Sequence, residues 1–408
     1  MKDILLECGK SLDYICSCIY VSNANKDAEQ RDFFAKYLLK NNISKEQIRS
    51  EMSNINKGGL PKADEVIALY DRLQMNKKNT YLEEHRDEIF KKYSDEELIK
   101  DVENYKHGKG KLNKVLNHFF EECIFNCVAV RGDKSPMEAL QNEKDMEYIL
   151  NYVNSKSNFY TGSEVANVKS FFRNGGRIAQ KVANFCPRNA RDIYFRYFKD
   201  CDLSKINCLD TSMGFGSRMS SVLLSGANYC GFDPNKELFG KLVECKDFYY
   251  KHGVVNKEQK CDIYCQGSEI HKPELDNMFD VSFTSPPYFN IEKYSDDECA
   301  STQNYDNYEL WIEDFVKPTI DNTCKYLKNG GYLMINIKNI SRPRNNTNTP
   351  KHKLFDDWFE ILSNRDDLEF VEVFDMEIGK RQCGMGGTYT MEEFNGFKEP
   401  VMVFKKVS

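Results

Sequence analysis

From about Thr161 onward the sequence predicts an α/β fold with a mostly parallel, seven-stranded sheet, preceded by a mainly helical region over residues 1–160. Three observations carry this expectation. Short apolar or β-branched runs alternate with helical patterns across residues 206–337. A glycine-rich turn directly follows the first of those runs. The last two runs lie behind a helical pattern and have Gly-rich sequence between them, which suits an antiparallel edge.

The helical region comes first. Asp27–Lys40, Lys62–Gln74, Tyr81–Tyr105 and Asn113–Val130 set apolar residues at three- and four-residue spacing among Glu and Lys. Breakers separate them: Gly58-Gly59 with Pro61, then Gly108 and Gly110, then Gly132 to Pro136. Strands are expected at Ile206–Asp210, Tyr229–Asp233, Asp262–Gln266, Asp280–Thr284, Tyr332–Ile337, Glu369–Phe374 and Val401–Lys405. Helices are expected at Ser217–Leu224, Lys236–Tyr250, Tyr305–Leu327 and His352–Leu362.

At 408 residues, 40% hydrophobic and 29% charged, the chain can bury a large core and is not generally disordered. Its formal net charge of -6 means that any nucleic acid must be met by local basic patches. The 15 cysteines follow no disulfide pattern, and Cys123/Cys127 and Cys261/Cys265 lack the partners of a zinc site, so reduced thiols and no metal are expected. No secretory leader and no run of about 20 apolar residues stands out, which points to a cytoplasmic protein.

Two turns carry the chemistry. The first is Asp210-Thr211-Ser212-Met213-Gly214-Phe215-Gly216-Ser217-Arg218, between the first strand and a helix. Its glycines let the backbone turn sharply and approach a ligand. One strand–helix–strand unit later, Asp233 stands where an acid can accept hydrogen bonds from both ribose hydroxyls of a nucleoside. Position 219 is Met, so the dinucleotide fingerprint is incomplete, and no phosphate-binding P-loop occurs. The second turn is Ser285-Pro286-Pro287-Tyr288, at the end of the fourth strand. Two prolines stiffen it and remove two donors, leaving a rim of acceptors beside an aromatic plate. Taken alone it also reads as a plain Pro-Pro turn. Both turns belong at the carboxyl ends of adjacent strands, where open α/β sheets bind ligands.

Together, these two turns resemble those of the amino-methyltransferases that modify cytosine N4 or adenine N6 in DNA. Asp210, Gly214 and Gly216 match that family's first motif, Asp233 its ribose-binding acid, and Ser285, Pro286, Pro287 and Tyr288 its catalytic tetrapeptide. The final stretch, Lys398 to Lys405, is similar to the closing strand of such enzymes from phages and mobile elements. The resemblance implies a Rossmann-like class I methyltransferase domain over 161–408. The implied cofactor is S-adenosylmethionine, held by Asp210, Thr211, Gly214, Gly216 and Asp233. It implies that Ser285 and the Pro286 carbonyl receive the amine of a flipped base while Tyr288 stacks on it, with Phe289 assisting. Ser at the first tetrapeptide position leans toward cytosine N4. Phe185 is expected over the cofactor and Ser268 beside its adenine, against the alternatives of a hydrophobic staple and a helix-capping loop.

The implied partner is double-stranded DNA. Candidate contacts are Arg173 and Arg177, in a basic stretch running from Lys169 to Lys199, and Arg342, Arg344 and Lys351 after the fifth strand. A solvated charged face is the alternative for each. Residues 1–160 are expected to serve DNA recognition or dimerisation, and the setting is a bacterial or phage-infected cytoplasm, with a restriction partner left open. An RNA or protein-amide methyltransferase, and a non-catalytic nucleic-acid-binding subunit, stand as alternatives.

Overall fold

A computed structural model describes residues 80–129, 134–174, 178–289, 305, 307–339, 352–376 and 399–408. The helices expected at Asp27–Lys40 and Lys62–Gln74 lie outside these residues. The helices before the sheet are α1 (Thr80–Ile89), α2 (Asp95–Lys106), α3 (Asn113–Asn126), α4 (Pro136–Leu140), α5 (Glu143–Ser155), α6 (Glu164–Arg173) and α7 (Pro187–Tyr194). Where one helix was expected over Tyr81–Tyr105, a break at Phe90–Ser94 divides α1 from α2. Ser94 then starts α2 with a capping box, its hydroxyl taking the Glu97 N–H while Glu97 takes its own.

Seven strands follow: β1 (Asn207–Asp210), β2 (Asn228–Phe232), β3 (Cys261–Tyr264), β4 (Phe279–Thr284), β5 (Leu327–Asn336), β6 (Leu368–Asp375) and β7 (Pro400–Lys406). They form one sheet in the order β3-β2-β1-β4-β5-β7-β6. β1 to β5 pair in parallel, and β7 runs antiparallel between β5 and β6. This is the class I methyltransferase arrangement that the motifs implied. Helices α8 (Ser217–Leu224) and α9 (Lys236–Lys251) join the first three strands. The helix expected over Tyr305–Leu327 is α10 (Tyr308–Trp311), a π-helical turn at Ile312–Val316, and α11 (Lys317–Tyr326). Pro318, which has no N–H to return to the preceding turn, sits just past the widened segment. Helix α12 (Leu354–Ser363) precedes β6.

Two compact units are present. One comprises Met1–Glu84 and Leu140–Tyr148; the other comprises His85–Ala139 and Ile149–Ser408. In the second unit one apolar cluster joins β1, β2 and β4 residues such as Cys208, Tyr229 and Phe283 to α2, α3, α8 and α9 through Val102, Phe120, Met219 and Leu242. The opposite cluster packs Leu209, Phe232 and Ile335 under Trp311, Ile320 and Trp358. Helices α2 and α3 thus share the apolar core on that face of the sheet. Among the described residues no helix is long and apolar enough to cross a membrane.

Candidate active site at the carboxyl ends of the strands

β1 lies between β2 and β4, with Leu209 opposite both Cys230 and Ser282. Parallel neighbours are about 4.8 Å apart, so the turns leaving β1, β2 and β4 emerge side by side at the switch point of the sheet.

Asp210, expected to contact the cofactor, is fully buried. One carboxylate oxygen accepts from Arg218 Nε at 2.7 Å and the Tyr229 hydroxyl at 2.9 Å. The other accepts from Arg218 Nη2 at 3.3 Å and the Ser212 N–H at 3.1 Å. Four donors fill the four acceptor positions of a carboxylate, leaving none for a ligand. Asp210 thus shapes the turn from beneath. Arg218, at the end of the motif, is the ion-pair partner that makes this possible. Burial would lower its pKa, but the adjacent Asp210 outweighs that and raises it, so the guanidinium stays charged. It also hydrogen-bonds the Ser212 carbonyl.

The two glycines of the turn do different work. Gly214 has φ +54°, and a side chain there would meet nothing within 4 Å, so it is the open point of the turn. Gly216 has φ +67°, and a Cβ there would lie 2.6 Å from Phe120 Cζ. Its lack of a side chain is required by packing as well as by conformation. The Thr211 hydroxyl is buried and has no hydrogen-bond partner among the described residues.

Asp233 stands just past β2. Its oxygens accept the Gly214 N–H and the Asn235 N–H, each at 3.0 Å, so one carboxylate fixes the β1 turn and its own. Each oxygen keeps a free lone pair. Burial pushes its carboxyl up to about 6, while the two N–H groups pull the other way. After β3, the Ser268 hydroxyl is buried and shares a hydrogen bond with Thr319 at 3.0 Å. Asn322 clamps the Ser268 and Glu269 carbonyls at 3.0 and 2.9 Å. The group left over is the Glu269 carboxylate, with one buried oxygen unpaired among the described residues and its pKa raised by burial.

At the end of β4, Ser285, Pro287 and Tyr288 are half-buried and Pro286 is buried. The Tyr288 hydroxyl accepts the Lys338 N–H at 3.2 Å, which pins the ring to the chain leaving β5. Phe289, expected to assist in stacking, is instead buried among aromatic neighbours. Its φ is +36°, and its buried ring packs 5.4 Å from Tyr308, 5.8 Å from Trp311 and 5.3 Å from His352. A positive φ at a bulky residue is strained, and this apolar cage is what holds it.

Phe185 packs beside β4. Its ring meets Phe283 of β4 edge-on at 5.6 Å, with the Arg218 guanidinium 5.5 Å from its centre. Much of the basic stretch serves the fold. Lys169 and Lys181 both pair with buried Glu121 at 2.9 and 3.0 Å, Arg188 holds the Gly110 carbonyl, and Arg196 pairs with Glu372 at 2.9 Å. Arg173 is exposed at the end of α6. Arg177, Arg342, Arg344 and Lys351 lie outside the described residues.

No family model and no curated protein matches the chain. Among solved structures it is similar to TrmN from Thermus thermophilus (11% identity, 55% of this chain and 49% of that one, TM-score 0.35). It is similar to an S-adenosylmethionine-dependent methyltransferase from Clostridium acetobutylicum (11% identity, 55% and 94%, TM-score 0.34). It is also similar to the cyclase SpnF (14% identity, 54% and 81%, TM-score 0.36). The matched part spans about half of TrmN's length. Nothing about chemistry or substrate follows from likeness at this level.

Proposed function

We propose that this chain is an S-adenosylmethionine-dependent DNA methyltransferase acting on an exocyclic amine of an extruded base, with cytosine N4 favoured over adenine N6. The observation that carries the proposal is the emergence of the Ser285–Tyr288 turn directly beside the Asp210–Gly216 turn, at the switch point of the sheet. The residues present fit the cofactor. The ends of β1, β2 and β3 each supply an acceptor with spare capacity, from the Thr211 hydroxyl, Asp233 and Glu269. Gly214 leaves open the space that any side chain would fill.

When bound, S-adenosylmethionine supplies an electrophilic methyl group on a sulfonium. Asp233 holds a ribose diol through its free lone pairs, and Thr211 and Glu269 accept from polar hydrogens of the same ligand. Ser285 Oγ and the Pro286 carbonyl accept the hydrogens of the target amine, which aims its lone pair and raises its electron density. Tyr288, tethered at its hydroxyl, offers its ring face to the base. No covalent nucleophile is required. Double-stranded DNA is the partner this reading needs, with Arg173 as one exposed phosphate contact and Arg177, Arg342, Arg344 and Lys351 as further candidates. Recognition or dimerisation is proposed for the remainder of residues 1–160.

Incubation with methyl-tritiated S-adenosylmethionine and DNA, RNA or protein in parallel tests the proposal. We expect label in DNA, recovered as N4-methylcytosine by mass spectrometry of the digested nucleosides. Finding only N6-methyladenine removes the cytosine preference. Label confined to RNA or protein refutes the DNA substrate, and label in none refutes methyl transfer.

A further inference from the structure

We propose that the hairpin of α2 and α3 is a working part of the cofactor cradle, with Tyr105 and Phe120 as its positioning residues. The inference rests on the S-adenosylmethionine reading above and assigns part of that site to chain about a hundred residues upstream of it.

Two segments border the cradle, Gly214–Ser217 and Asn184–Pro187. Each is fastened to the hairpin from behind. Phe120 is fully buried and occupies the space a Gly216 side chain would need, 2.6 Å from its Cβ position. Gly216 brings the wide conformational freedom of its type to the turn, and a rigid aromatic wall at van der Waals range removes that freedom. Tyr105, also buried, donates to the Pro187 carbonyl at 3.1 Å and lies 3.3 Å from Ser221 Oγ, which reaches the same carbonyl at 2.8 Å. Arg188 returns the contact, with its guanidinium on the Gly110 carbonyl at 3.0 and 2.8 Å in the turn between α2 and α3.

The two bordering segments are also tied to each other. Asn184 donates to the Phe215 carbonyl at 3.2 Å and accepts from Ser217 Oγ at 2.8 Å. The hairpin, the segment before α7 and the glycine turn therefore form a closed ring of contacts. Loosening the hairpin side releases both walls of the cradle, while the catalytic turn at Ser285 is untouched. The expected signature is weaker cofactor binding without slower chemistry.

The test compares full-length Tyr105→Phe and Phe120→Leu with the unaltered chain. Tyr105→Phe removes one oxygen, and Phe120→Leu keeps an apolar side chain of similar length, so both variants are expected to fold. Calorimetry should show S-adenosylmethionine dissociation constants raised about threefold or more in Tyr105→Phe and about tenfold in Phe120→Leu, as ordering is moved onto the binding step. Turnover at saturating cofactor should stay within about twofold of the unaltered chain. Amide hydrogen exchange in the ligand-free protein should be faster at Gly214–Ser217, with β1 and β4 unchanged. Unchanged affinity in both variants overturns the inference. If the unaltered chain binds no S-adenosylmethionine, the cofactor reading fails, and the exchange rates at Gly214–Ser217 alone then support or overturn the bracing.

Discussion

Asp233 allows a quantitative test of the cofactor reading through pH. Burial moves its carboxyl from an ordinary 3.8 to about 6. A ribose diol donates two hydrogen bonds, so the ionised carboxylate is the form that binds. At pH 5 only about one tenth of the protein carries that form, so the dissociation constant for S-adenosylmethionine should rise about tenfold between pH 8 and pH 5. Calorimetry at fixed ionic strength measures this. Asp233→Asn should bind weakly, with no slope over the same range. In the ligand-free protein the sign is opposite. The folded-state value lies above the ordinary one, so this group's contribution to stability is fully present below 3.8 and lost as pH rises through about 6. The difference amounts to about 3 kcal/mol of unfolding free energy. Acidification should therefore weaken cofactor binding while this carboxyl favours the fold. A flat affinity from pH 5 to 8 in the unaltered chain, or the same slope in Asp233→Asn, would refute the assignment.

Other substitutions separate positioning from chemistry. Ser285→Ala should lower turnover by about 10- to 100-fold, for the loss of one hydrogen bond to the reacting amine, and leave cofactor affinity unchanged by calorimetry. Arg218→Met strands Asp210 as a buried charge and should cost about 3–5 kcal/mol in urea denaturation, far more than an exposed pair is worth. Gly216→Ala forces a Cβ against Phe120 at a positive φ and should cost about 1–3 kcal/mol by the same measurement.

The sheet was legible in the sequence because its strands are short apolar runs between helical patterns, and a buried parallel strand has to read that way. Each expected strand overlaps an observed one, and Ser217–Leu224 coincides with α8. The turns were legible for a related reason. Gly214 and Gly216 adopt conformations other residues resist, and the proline pair at 286–287 stiffens its loop through chemistry carried in the residues themselves.

Assignments that depend on which group reaches which partner were not legible. Asp210 and Asp233 both end strands, yet four donors saturate one while the other keeps lone pairs. Ser268 and Glu269 are adjacent, and only Thr319, some fifty residues later, shows that the serine hydroxyl has a partner while one glutamate oxygen stays unpaired among the described residues. Phe289 follows Tyr288, and the cage around Trp311 buries its ring. The basic run from Lys169 to Lys199 resembled a phosphate-binding face until buried Glu121 claimed two of its lysines. By itself, then, the sequence determined the strands, their glycine and proline turns, and the strand ends at which a ligand site belongs. Tertiary structure alone decided which of those residues remain free to bind and that α2 and α3 belong to the same core, because hydrogen-bond saturation and close packing are settled between chain segments that meet only when folded.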